Sequence, residues 1–261
     1  MFNKKWPASL VVFALIAALL VPVFYTGYSS VQRADNEFSA QNYTDASMHY
    51  QQAARLLPWR TDLLEKAGIA AYANRDYSSA IALLNRQSEL TEQGWVALGN
   101  SYSNTNDMVS ALRAYQDGLR FYDSAALYAG VAFIYRGQKD WPAERDALQN
   151  QLRLDISDAY THYRLGLLLT FLSPEQALSE LTLASSLDPE TDSAVQTLTA
   201  ALNLSSTQPD ASEQMLTIGR ALGLVQEWDL SLAAFEKAIE IDEKNAEAWA
   251  WLGEAKQQLG Q

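Results

Sequence analysis

One phrase recurs along this chain: Trp95, Leu98, Gly99 and Tyr102, followed by Ala111 and Tyr115 and then Gly118. It returns as Ile218, Gly219 and Leu222 with Phe235 and Ala238, and starts again at Trp249, Leu252 and Gly253. Small and aromatic residues recurring at set places describe helix pairs that cannot bury their apolar faces alone, so the units must stack. Stacked pairs build a groove for another polypeptide and rarely contain chemistry. The phrase therefore specifies a binding scaffold and leaves its partner unspecified.

Each position has a physical role. A glycine in the first helix of a pair (helix A) and an alanine in the second (helix B) let two backbones approach, while the aromatics fill the gap to the next pair. The first unit has helix A at 31–40 and a helix B carrying Ala46, Tyr50 and Ala53, stopped by Pro58. Leu64, Ala67, Gly68 and Tyr72 open the second, with Tyr77, Ala80 and Leu84 in its helix B. The Trp95 phrase is the third. Gly130 and Phe133 mark the fourth, followed by Trp141, Leu148 and Leu152; Glu144 stands where alanine is usual, which predicts a looser pair. Leu165 and Gly166 open the fifth, with Ala177, Leu181 and Ala184 after them. Asp62, Ser124 and Asp158 are the expected helix caps, and Pro174 suits a first helical turn after Ser173.

These residues resemble the tetratricopeptide repeat (TPR) family from about residue 31 to the end. The resemblance implies an all-α, TPR-like helical-repeat solenoid of antiparallel pairs. Alternation fails at one place: between Pro189 and Pro209 there is room for only a single helix, 192–204. The polar stretch 205–210 is then the best internal boundary. The expected organisation is 1–30, a cytoplasmic stub and membrane anchor; 31–204, an N-terminal array with one unpaired helix near its end; and 205–261, a C-terminal repeat. The last phrase is a helix A without its helix B, which reads either as a cap or as the start of a further repeat.

The anchor follows from the first thirty residues. No charge lies between Lys5 and Arg33, and residues 8–25 are almost wholly apolar. Eighteen residues at about 1.5 Å each span roughly 27 Å, enough to cross a thin hydrocarbon core. Trp6 lies at one end and Tyr25 and Tyr28 at the other, where aromatic rings prefer the headgroup level. Lys4 and Lys5 place the N-terminus in the cytoplasm by the positive-inside rule, so the repeats are extracytoplasmic, periplasmic or extracellular. The competing reading is a cleaved signal peptide, whose apolar core usually spans about 7–15 residues. Here the core is longer, and the tolerable cut after Ser29 is flanked by bulky Tyr28.

Composition excludes several function classes. The chain has no cysteine, which removes disulfides, thiolate metal sites, a thiol nucleophile and a lipidated-cysteine anchor. Net charge is −12, and because Lys4 and Lys5 are the only charges in the first thirty residues, the remainder carries −14. Such a surface repels phosphate backbones, so nucleic acid is not an expected partner. Neither His49 nor His162 has a carboxylate or second histidine three or four residues after it in a metal-ligating pattern, so no metal site is expected. Neither a phosphate-cradling glycine loop nor a nucleophile elbow is present, and no catalytic residue or cofactor is assigned.

Within the resemblance, helix A lines the inner face on which a peptide lies. Asn100, after Gly99, occupies the place of an asparagine that grips a C-terminal carboxylate in some family members. Its equivalents Ile69, Val131 and Leu167 are not basic, so such a clamp is not supported. The expected partner groove is apolar and aromatic: Ile69, Tyr72, Val96, Asn100 and Tyr102, then Leu127, Val131, Ile134, Tyr135 and Leu167. The function expected is a non-enzymatic, membrane-tethered scaffold for a protein or peptide partner, similar in layout to bacterial envelope TPR proteins. Two alternatives are an accessory subunit packed on an integral membrane complex, and the regulatory arm of a longer enzyme.

Overall fold

The computed structural model describes residues 8–261; the expectations resting on Lys4, Lys5 and Trp6 lie outside them. The described residues form α-helices and no strand, and the chain divides into two compact units at Asp123/Ser124. The first unit contains α1 (Ala8–Ser39), α2 (Tyr43–Leu56), α3 (Asp62–Ala73), α4 (Tyr77–Leu84), α5 (Glu92–Asn104) and α6 (Met108–Leu119). The second contains α7 (Ala125–Gln138), α8 (Trp141–Leu154), α9 (Ala159–Leu172), α10 (Pro174–Leu187), α11 (Asp192–Ser205), α12 (Ala211–Leu224), α13 (Trp228–Ile241) and α14 (Ala246–Gln258).

Successive helices pack as A/B pairs: α1 with α2, α3 with α4 and α5 with α6 in the first unit, and α7 with α8, α9 with α10 and α12 with α13 in the second. This is the all-α helical-repeat arrangement that the phrase predicts. Helix α11 packs on both α10 and α12, while α12 takes α13 as its own partner. The polar 205–210 stretch is tied down by Gln208, whose carbonyl accepts from Gln214 Nε2 at 2.6 Å and whose side chain accepts from Thr217 Oγ1 at 3.1 Å.

Glycine sets the spacing within pairs. A Cβ on Gly68 would stand 2.6 Å from Leu84 Cγ, and one on Gly219 would stand 2.5 Å from the Phe235 ring. One on Gly99 would overlap the Tyr115 ring outright. The large helix B side chain thus occupies the volume a helix A side chain would have taken, and Tyr115 and Phe235 are fully buried as a result.

The A-to-B turns share a feature that the sequence reading missed. Gln41, Arg75, Asn106, Lys139 and Gln226 all adopt left-handed backbone, with φ between 58° and 65°. For a non-glycine residue this costs about 1 kcal/mol, which tertiary packing must offset. In three of these turns the next residue caps helix B: Asp76, Asp107 and Asp140 accept from the amides of Ser79, Ser110 and Ala143. The α9–α10 junction differs, because Ser173 alone connects the helices and Pro174 begins α10 without needing a donor. Ser124 and Asp158 cap α7 and α9 as expected. Asp62 does not: it is the first residue of α3, and its carboxylate is gripped at both oxygens by Arg60, 2.7 Å each.

Helix α1 runs through the 30/31 boundary without a break. The anchor and the first helix A, read as adjoining segments, are one uninterrupted helix. Its surroundings change along its length. Leu15, Leu19, Val21 and Tyr25 are exposed, whereas Gly27, Ser30, Val31 and Ala34 are buried at helical spacing. Burial starts where Gly27 presses on Leu57, immediately after α2. One helix among the described residues, α1, is long and apolar enough to cross a bilayer, and only 11% of its apolar window is buried.

Candidate functional site

In the first unit the expected groove residues lie on α3 and α5, which pack against each other as well as against their own partners. Ile69, Tyr72, Val96, Asn100 and Tyr102 are all half-buried, so each retains surface that another molecule can reach. Asn100 is not a free amide. Its Nδ2 donates to the Tyr72 hydroxyl at 2.9 Å and its Oδ1 accepts from the Tyr115 hydroxyl at 2.6 Å. Burial, with the nearby Tyr72 hydroxyl, raises the Tyr115 pKa, so that hydroxyl stays a donor. The Tyr102 hydroxyl accepts from Asn85 Nδ2 at 2.6 Å. The polar atoms of this face are therefore spent on one another, and what it offers outward is aromatic and aliphatic.

The second unit sorts its expected residues differently. Leu127, Val131, Ile134 and Leu167 are buried, with Leu127 at 0% exposure, and they hold helices together instead of lining a surface. Tyr135 is half-buried. One concavity in this unit is a cavity of about 230 Å³ whose lining includes Phe133, Arg136, Glu144, Tyr160 and Arg164. Phe133 and Tyr160, absent from the expected set, are more than half exposed.

A buried ion network forms the floor of that cavity. Arg164, on α9, donates from Nε and Nη2 to Glu144 on α8 at 2.6 and 2.9 Å, and from Nη1 to Glu227 at 3.0 Å. Burial alone would lower the Arg164 pKa, but the hydrogen bond and charge of Glu144, with the charge of Glu227, outweigh it and raise the value. Arg136 Nη1 donates to the Tyr160 hydroxyl at 2.9 Å. Lys139 pairs with Asp229 at 2.9 Å. Glu227 and Asp229, at the start of α13, thus sit against the basic residues of α7 and α9. Glu144 in the alanine position is accordingly not a sign of looser packing, since it is the buried counter-ion of Arg164.

Ile69, Val131 and Leu167 are not basic, but the helix A glycine of α12 is followed by an arginine. Arg220 follows Gly219, is half exposed at its side chain, lies over the Trp251 ring at 5.2 Å and pairs with Glu247 at 2.9 Å. The signal was present in the sequence as Gly219 followed by Arg220. His162 is a packing residue, with Nδ1 2.7 Å from Glu180 and Nε2 2.9 Å from the Ile156 carbonyl oxygen. Among the described residues no group of three or more His, Asp or Glu is placed to hold a metal ion.

Residues 219–260 match the family model of the TPR repeat. No curated protein sequence matches the chain. Among solved structures it is similar to the C-terminal part of a TPR repeat-containing protein from Cytophaga hutchinsonii, with TM-score 0.57 and 14% identity over 85% of this chain and 99% of that one. It is also similar to MamA (41-end) from Desulfovibrio magneticus RS-1, with TM-score 0.56 and 16% identity over 64% and 97% of the two chains. YrrB, described as a TPR protein with an unusual peptide-binding site, aligns with TM-score 0.51 and 14% identity over 77% and 96%. At such identities the likeness is one of fold, and the fold is that of TPR proteins.

Proposed function

We propose that this chain is a non-enzymatic scaffold that holds an extended polypeptide segment on its helix A faces while tethered to a membrane by α1. The observation that supports this most directly is the α3–α5 face. Its aromatic and aliphatic side chains are half-exposed, and its polar atoms satisfy each other without needing a ligand. Such a surface gains by covering apolar area and loses little polar solvation on contact. Peptide recognition is also the property named for YrrB, which shares the fold.

The proposed division of labour keeps 1–30 as tether, 31–204 as the N-terminal array and 205–261 as the C-terminal repeat. The proposed topology has the N-terminus in the cytoplasm and the repeats on the far side of the membrane. A reporter fused after Gln261 tests the second point, and cytoplasmic activity overturns it.

The binding face is tested by in-cell photocrosslinking. A photoreactive residue at Tyr102 is expected to capture one polypeptide that the same residue at Val109, 78% exposed on α6, does not capture. Equal capture at both positions removes the assignment. Leu167 is unsuitable for such a probe because it is 1% exposed.

A further inference from the structure

The end of α2 and the turn that follows it carry more exposed aromatic and basic surface than the packing requires. Leu57 is buried against Gly27 of α1, but the next two residues, Pro58 and Trp59, are exposed, Trp59 by 54%. The Trp59 ring meets the Phe24 ring edge-on, with centroids 5.2 Å apart. Phe24 lies at the end of the apolar stretch of α1, flanked by the exposed rings of Tyr25 and Tyr28. Helices α1 and α2 are antiparallel, so the chain returns at Trp59 to the level where α1 leaves the protein. Because α1 is unbroken between Phe24 and Gly27, no linker separates that level from the first repeat.

The same edge carries cationic side chains. Helices α2 and α4 are both B helices, so their C-terminal ends lie on this side. Arg55 in the last turn of α2 and Arg86 after α4 are exposed and, with Pro58, line a cavity of about 230 Å³. Among the described residues neither belongs to an ion pair, whereas the neighbouring Arg60 is taken by Asp62. Two uncommitted guanidinium groups beside an exposed Trp fit the layer between acyl chains and lipid phosphates, where amphipathic rings and basic side chains accumulate.

We infer that the α2–α3 turn is a second membrane contact, with Trp59 seated at the acyl–headgroup boundary of the leaflet from which α1 emerges and Arg55 and Arg86 on its lipid phosphates. The inference rests on the reading of α1 as a membrane span. Its consequence is mechanical. Two contacts of different kind hold the first repeat at a defined tilt, so it does not swing on a tether.

The absence of cysteine makes site-directed spin labelling of the full chain direct. Single cysteines at Leu19, Trp59 and Val109, and at Pro58 as a variant that leaves the Trp59–Phe24 contact intact, are labelled with nitroxide. Each is reconstituted in phosphatidylcholine vesicles with and without phosphatidylglycerol. The ratio of oxygen to nickel-chelate accessibility reads depth. Leu19 is expected in the hydrocarbon and Val109 in water. Positions 58 and 59 are expected between them, shifted deeper by phosphatidylglycerol, with that shift lost in Arg55→Gln/Arg86→Gln. If Leu19 is in lipid while 58 and 59 match Val109, the membrane contact is wrong and the tether stands. A water-exposed Leu19 removes both.

Discussion

The α5–α6 pair of the first unit and the α12–α13 pair of the second share one template, and they differ at the residue after the glycine. In both, a helix A glycine admits a fully buried aromatic ring from helix B, Tyr115 against Gly99 and Phe235 against Gly219. In the first pair that ring carries a hydroxyl, and Asn100 is turned inward to accept from it. In the second the ring carries none, and Arg220 is left at the surface over Trp251. A single ring oxygen therefore accompanies the difference between an internally satisfied face and one that presents a charge.

Tyr115→Ala and Phe235→Ala are each expected to cost about 3–5 kcal/mol, the range for deleting a buried aromatic side chain. Loss of hydrogen-exchange protection should stay within the unit that carries the change. Spread of either loss over both units would show that the units do not unfold separately.

Glu144→Ala comes next, at about 3 kcal/mol, since it leaves the buried Arg164 guanidinium with Glu227 as its remaining carboxylate partner. Replacing both, Glu144→Ala with Arg164→Met, is expected to recover most of that loss in urea titration. No recovery would mean that the network contributes more than charge compensation.

Gly99→Ala and Gly253→Ala should differ in sign. The first puts a methyl into the Tyr115 ring and costs about 1–3 kcal/mol. The second meets nothing within 4 Å, lies inside α14 and stabilises by roughly 0.5–1 kcal/mol. Thermal unfolding of the two variants reads both.

The smallest effect is with acid. The Asp62 carboxyl is held below the ordinary carboxylate value, chiefly by its Arg60 hydrogen bond, and those of Asp76 and Asp107 by bonds from Ser79 and Ser110. A depressed folded value means their contribution is complete above the unfolded pKa of about 3.9 and is lost as pH falls through the lower folded values. The first unit's melting temperature should fall in that window, and Asp62→Asn should flatten the decline.

The sequence was most informative where a residue's role depends on its own helix or its own pair. The glycine–aromatic pairs, α13 as 228–241 and the caps at Ser124 and Asp158 could be read because chemistry and spacing lie within a few turns. Asn100 could be placed after the glycine, but its loss to Tyr72 and Tyr115 could not, because those partners lie 28 and 15 residues away. Glu144 was misread for the same reason: Arg164 lies one helix pair further on. The expected groove residues divide by burial. Apolar spacing shows which side of a helix is greasy, and Leu127, Val131, Ile134 and Leu167 were on the side that neighbouring helices cover.

What the sequence determined alone is the kind of building block: helix pairs spaced by glycine, and an apolar first helix. These follow from local propensity and periodicity, which act over one or two turns. Tertiary structure decided which apolar side chains remained reachable, which polar groups were consumed, and where α1 passes from exposed to packed at Gly27. Those outcomes depend on which surfaces meet, and the free energy of burial or of an ion pair is assigned only when a second helix arrives.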